Sequence, residues 1–239
     1  MNPPYSSQTP PHSVTTSSFN AAFPALSLGA RYRLFGLGVL LPLFILITVM
    51  IPLWLEHGVV FDRRWILLLH HYVSPVRNDL AITLAYLGGL PVSAGVGLLL
   101  VAGVSAIKHG QARRQWLVFL LTTLVGAVVV SWSMKLLCHR PRPELWPRLV
   151  QEYGASFPNG HSLYAMVLAY VGILLSWCTR WRRLVICLGG LWVVLMGLSR
   201  VYLGVHYPTD VIGGWLLGMI WVSLMYLGWA IRFDPQHRR

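Results

Sequence analysis

Six apolar runs dominate the chain, at about 34–55, 79–107, 115–137, 161–178, 184–203 and 208–231. Each approaches or exceeds the ~20 residues that an α-helix needs to cross a bilayer. A segment in hydrocarbon must satisfy its own backbone hydrogen bonds, which leaves helix as the local structure. Only 11% of the residues are charged, against ~25% in a soluble domain. The expected fold is therefore an all-α integral membrane protein with six transmembrane helices.

The run at 79–107 is long and interrupted by Gly88-Gly89 and Pro91, so it is expected to kink, to tilt or to begin outside the bilayer. Residues 61–73 place Asp62, Arg63 and Arg64 before Trp65-Ile66-Leu67-Leu68-Leu69. This stretch is too short to span and reads as an interfacial helix. Gly214 and Gly218 are spaced for close helix approach. Residues 1–30 are rich in Ser, Thr and Pro without a charged side chain, which predicts a disordered tail. The membrane domain is expected over 31–232 and a basic tail over 233–239. The first run exceeds the ~7–15 residues of a signal-peptide core and is expected to stay as a membrane helix.

Charge sets the expected orientation. With the N-terminus inside, eleven Lys and Arg fall on the inner side and eight on the outer side, five of the eight in or beside polar clusters. The positive-inside rule then predicts N-in, C-in, and the expected location is the cell inner (plasma) membrane. The net charge of +12 does not indicate nucleic acid, because the basic residues sit in short clusters between apolar runs. They read as topology determinants and contacts to anionic membrane lipids. Cys138, Cys178 and Cys187 have no zinc-ligand spacing, and the seven acidic residues are too scattered for a magnesium site. No metal or other cofactor is expected. Oligomeric state is not legible.

Three polar clusters lie within residues 135–210: Lys135-x6-Arg142-Pro143, Pro158-Asn159-Gly160-His161 and Ser199-Arg200-x5-His206-x3-Asp210. Ionisable residues this close to membrane spans are costly, so their default reading is functional. In the orientation above, all three fall at outer span ends, facing the periplasm or exterior. A helix starting near His206 would bring His206 and Asp210 onto one face. The carboxylate could then fix the imidazole tautomer and leave the other nitrogen free as a nucleophile. Asn159 is a good N-cap, Gly160 admits close backbone approach, and the amides of a helix start favour phosphate. His161 in that first turn is suited to protonate a leaving group. Lys135, Arg142 and Arg200 supply the cations that phosphoryl transfer needs on the equatorial oxygens. Trp146 and Tyr153 are candidates for a lipid entrance, and Arg140 and Arg148 flank the site.

In order and spacing the clusters resemble the signature of the type 2 phosphatidic acid phosphatases, or lipid phosphate phosphatases, in their bacterial membrane branch. The flanking Val201-Tyr202-Leu203-Gly204-Val205 is similar too, and the resemblance covers roughly residues 80–230. It implies a lipid phosphatase acting on a phosphomonoester or diphosphate, such as undecaprenyl diphosphate, phosphatidylglycerophosphate or phosphatidic acid. It also implies His206 as the nucleophile that becomes phosphohistidine, Asp210 as its orienter and His161 as the acid. Lys135, Arg142, Arg200, Asn159, Gly160 and Ser199 would bind the phosphate. Asn159 stands where the family usually has Ser. Two alternatives remain open: transfer of the phosphoryl group to a lipid A-type or other acceptor, and a non-catalytic lipid-phosphate binding or transport protein.

Overall fold

The structure is a computed structural model that describes residues 26–56 and 60–233, and every regular element among them is helical. Helix α1 (Leu28–Phe35) runs through a π-helical turn (Gly36–Leu40) into α2 (Leu41–Glu56). There follow α3 (Val60–His70), α4 (Pro75–Gly88), α5 (Leu90–Ile107), α6 (Gly110–Cys138), α7 (Gly160–Ser176), α8 (Arg182–Tyr202) and α9 (Pro208–Arg232). Among the described residues, five stretches are long and apolar enough to cross a membrane: Leu28–Ile51, α5, α6, α8 and α9. Helix α7 is apolar too, but has 17 residues.

One boundary bears out the expected interruption and one differs from expectation. The run 79–107 is two helices, because Gly89 is extended (ψ 160°) and Pro91 sits in the first turn of α5, where its missing N–H costs nothing. The first membrane helix starts at Leu28, so Leu28, Gly29 and Ala30 are helical rather than part of a tail. Ser27 caps it by accepting from the Ala30 amide. The remainder of the expected N-terminal tail, residues 1–25, and residues 234–239 of the C-terminal tail lie outside the described residues. The short helix expected at 61–73 is α3, with Trp65, Leu67 and Leu68 exposed along it.

Helix α7 is the centre of the bundle. It packs most extensively against α8 and α9. Its Leu163, Val167 and Val171 are buried against Phe119 and Leu120 of α6 and Val222 of α9. The α7–α9 approach depends on Gly214, where an added Cβ would stand 2.5 Å from the Asn159 carbonyl oxygen and 3.1 Å from the Leu163 nitrogen. On the outside, Leu98, Leu99, Val125, Leu136 and Leu188 are exposed. That is the reverse of a soluble surface and suits contact with lipid tails. The C-terminal ends of α6 and α8 and the N-terminal ends of α7 and α9 come together, tied by the loops 139–159 and 203–207.

Candidate active site

The site begins with how α9 starts. Pro208 is its first residue and holds Tyr207 extended (ψ 153°), as a residue before proline prefers. His206 therefore lies before the helix, and the expectation of a shared helical face for His206 and Asp210 is not met. Asp210 instead folds back and accepts from the Tyr207 amide at 2.9 Å. This brings its Oδ2 to 3.5 Å from His206 Nδ1, ion-pair distance rather than a close hydrogen bond. Both side chains are buried. Asp210 also accepts from Ser156 Oγ and from Arg140 Nη1.

The other imidazole nitrogen, His206 Nε2, lies 2.9 Å from Arg142 Nη1. A guanidinium only donates, so Nε2 carries the lone pair and the ring proton sits on Nδ1, facing Asp210. Burial pushes the His206 pKa down to about 4, with Arg142 adding to the shift and Asp210 opposing it. The imidazole is neutral at physiological pH.

A strap of the 139–159 loop lies across the cations. Arg142 donates to the carbonyls of Gly154 (3.0 Å), Tyr153 (3.0 Å) and Val205 (3.1 Å). Lys135, in the last turn of α6, donates to the Ala155 carbonyl at 2.6 Å. Arg200, in the last turn of α8, donates to Glu152 at 2.8 Å, and the other Glu152 oxygen lies 3.6 Å from Arg142. One carboxylate thus joins the two guanidiniums. Arg200 Nη1 is also 3.3 Å from His161 Nε2, which in turn lies 3.2 Å from the Ala85 carbonyl of α4.

Asn159 caps α7 by accepting from the Ser162 amide at 3.1 Å, and its own amide donates to the Asp210 carbonyl at 3.0 Å. Its Nδ2 is buried without a hydrogen-bond partner among the described residues, as are Nε and Nη2 of Arg200. Gly160 opens α7 beside it, where an added Cβ would meet Ser131 and Tyr164 at 3.5 Å. Thus His206, Asp210, Arg142, Arg200, His161, Lys135 and Asn159 belong to one connected network. Ser199 does not join it: its hydroxyl donates to the Met196 carbonyl within α8.

Tyr153 is largely exposed, whereas Trp146 is part of the wall, stacked on His70 at 3.8 Å. Trp146 lies against Gly204, whose φ of +67° and 2.5 Å of room for a Cβ both require glycine. Sequence reasoning placed Arg140 only beside the site and gave Asp62 no part in it. The structure makes Arg140 the direct partner of Asp210, with Asp62 behind it at 2.7 Å. Glu152 was also missed. The one sequence signal for Asp62 is that a carboxylate heads an apolar interfacial helix.

Residues 116–234 match the PAP2 superfamily, a stretch that contains all three polar clusters. Phosphatidylglycerophosphatase B of Bacillus subtilis (strain 168) is 34% identical over 158 residues, 62% of this chain and 72% of that protein. Undecaprenyl-diphosphatase of Sulfolobus acidocaldarius is 31% identical over 193 residues, 78% of this chain and 87% of that protein. The crystal structure of a transmembrane PAP2-type phosphatidylglycerolphosphate phosphatase from Bacillus subtilis matches with a TM-score of 0.67 at 26% identity, over 81% of this chain and 98% of the other. Aquifex aeolicus LpxE, at 23% identity and a TM-score of 0.58 over 72% of this chain and 98% of the other, shares the fold. With relatives at 34% and 31% identity, matched over 72% and 87% of their own lengths, the chain belongs to the PAP2 superfamily.

Proposed function

We propose that this protein is a multi-pass membrane lipid phosphatase that hydrolyses a lipid phosphomonoester or diphosphate. The observation that carries the chemistry is His206, a buried imidazole with its lone pair on Nε2 beside Arg142 and its Nδ1 turned toward Asp210. Nε2 attacks phosphorus, the bond from phosphorus to the leaving oxygen breaks, and His161 gives that oxygen a proton. Water then attacks the phosphohistidine, returns a proton to His161, and frees inorganic phosphate and Nε2. Arg142, Arg200 and Lys135 balance charge on the phosphoryl oxygens. The unpartnered donors of Arg200 and Asn159 are available for the same oxygens. In this reading Ser199 positions its helix end rather than touching phosphate.

The names of the relatives favour phosphatidylglycerophosphate or undecaprenyl diphosphate as the substrate type. With α7 as a sixth span and the charge asymmetry of the loops, the chain is N-in, C-in in the inner (plasma) membrane, and the site opens to the periplasm or exterior. The test is phosphate release from a panel of lipid phosphates and diphosphates in detergent with EDTA present. His206→Ala is expected to abolish release, and wild-type turnover in that variant would refute the mechanism.

A further inference from the structure

Asp62 is 1% exposed, a carboxylate buried outside the three clusters and outside the stretch that matches the family. A buried carboxylate is tolerated only when its charge and lone pairs are met. Asp62 meets them in two places. Its Oδ1 accepts from the Thr209 amide at 3.0 Å, in the first turn of α9. Its Oδ2 accepts from Thr209 Oγ1 at 2.6 Å and from Arg140 Nη2 at 2.7 Å. Helix α3 therefore caps α9, the helix that carries Asp210, with a side chain from elsewhere in the chain.

Arg140 spans the gap between the two carboxylates. Its Nη2 holds Asp62, while its Nη1 holds Asp210 and Thr209 Oγ1, the latter at 2.8 Å. The guanidinium lies over the Tyr207 ring at 4.0 Å, which fixes its plane. Burial opposes its charge, but Asp210 and Asp62 outweigh burial and hold its pKa above the ordinary arginine value. Among the described residues, Arg140 is the one ion-pair partner of Asp62.

We propose that Asp62 and Arg140 are positioning residues for catalysis: the Asp62–Arg140 pair holds the Asp210 carboxylate in the orientation that keeps the His206 proton on Nδ1. This rests on the assignment of His206 and Asp210 proposed above. The side-chain hydrogen bonds of Arg140 go to Asp210, Asp62 and Thr209, and it shares neither Glu152 nor the strap carbonyls with Lys135, Arg142 and Arg200. Its loss should therefore slow the chemical step without weakening the hold on the phosphate.

The experiment compares Arg140→Gln, Asp62→Asn and the double variant with wild type and with His206→Ala, using a detergent-solubilised lipid phosphate. Turnover, KM and orthovanadate inhibition are read for each. The expected result is a fall in kcat of about 10–100-fold in each single variant, the range typical of partners one step behind reacting groups. KM and vanadate inhibition should stay within about threefold. The double variant should be no slower than Arg140→Gln, because the residues act as one unit. Asp62→Asn keeps an acceptor for the Thr209 amide, so a capping role alone would leave it active. The proposal is overturned if kcat survives in Arg140→Gln, if vanadate inhibition weakens in step with kcat, or if the two losses multiply. If Arg140→Gln does not yield folded protein, Arg140→Lys carries the test by the same readouts, since it keeps the charge but cannot span both carboxylates. An active His206→Ala would refute the underlying assignment, whereas an inactive one beside an active Arg140→Gln would refute only the positioning role.

Discussion

Arg142 faces the lone pair of His206. Its Nη1 lies 2.9 Å from Nε2 and can only donate, so the imidazole lone pair points at the cation and its proton at Asp210. The nitrogen suited to attack phosphorus is thus covered by a guanidinium that is also suited to bind the phosphoryl oxygens. In the proposed mechanism substrate replaces this contact, and the same movement frees the lone pair.

A pH profile should show this arrangement. The His206 pKa is pushed down to about 4 by burial, so its neutral form persists well below the ordinary value of 6.5. The acid limb of kcat/KM assigned to the nucleophile is expected well below pH 6.5, after allowance for the substrate's own ionisation. Stability has the opposite practical sense. Between pH 6.5 and about 4 the unfolded chain takes up a proton that folded His206 does not, so stability falls as pH drops through that window. An acid limb at 6.5 would contradict this environment for His206.

Asn159 separates two roles at one position. Its side-chain oxygen caps α7, while Nδ2 is buried without a partner. Asn159→Ser keeps a capping oxygen, so stability should change little. Asn159→Ala should cost about 1 kcal/mol. Both remove the Nδ2 donor, but serine restores a hydroxyl to the site. Turnover should therefore fall further in the alanine variant than in the serine variant. Thermal unfolding in detergent and phosphate release measure the two effects. Wild-type turnover in both variants would mean that Asn159 Nδ2 makes no contact that matters with the phosphoryl group.

The apolar helices and the clustering of the candidate site residues are legible in the sequence because each leaves a local mark. Apolar length marks a span, and the three motifs fix spacing within single helix ends. Asn159 as the cap of α7 follows from residue type alone. The start of α9 at Pro208 was less legible, since i, i+4 spacing suggests one face until the proline is seen to hold Tyr207 extended. Asp62 and Glu152 were not legible. Their partners lie 78 and 48 positions away, at Arg140 and Arg200, and apart from the place of Asp62 at the head of an apolar helix nothing local distinguishes them from solvated acids.

Gly214 tests the packing that brings the motif ends together. An alanine Cβ would stand 2.5 Å from the Asn159 carbonyl oxygen and 3.1 Å from the Leu163 nitrogen, both backbone atoms that cannot swing aside. Gly214→Ala is expected to cost about 1–3 kcal/mol as an overpacked core does. It should also reduce turnover, because Asn159 and Asp210 are tied across the same contact. Gly228→Ala has open space around the added carbon and serves as the control. Matching melting temperatures for the two variants would show that α7 and α9 can separate at no cost.

Glu152 holds Arg200 at 2.8 Å and lies 3.6 Å from Arg142, so a carboxylate occupies the attention of both guanidiniums. An incoming phosphoryl group that binds these cations competes with it. Removing the charge should relieve that competition: Glu152→Gln is expected to bind orthovanadate on the order of tenfold more tightly, equivalent to about 1.4 kcal/mol. KM for a lipid phosphate should fall in the same direction. The competing possibility is that Glu152 holds Arg200 in position for the substrate, in which case Glu152→Gln would weaken vanadate inhibition. The sign of the change therefore distinguishes a carboxylate that competes with the phosphate from one that positions its binding residue.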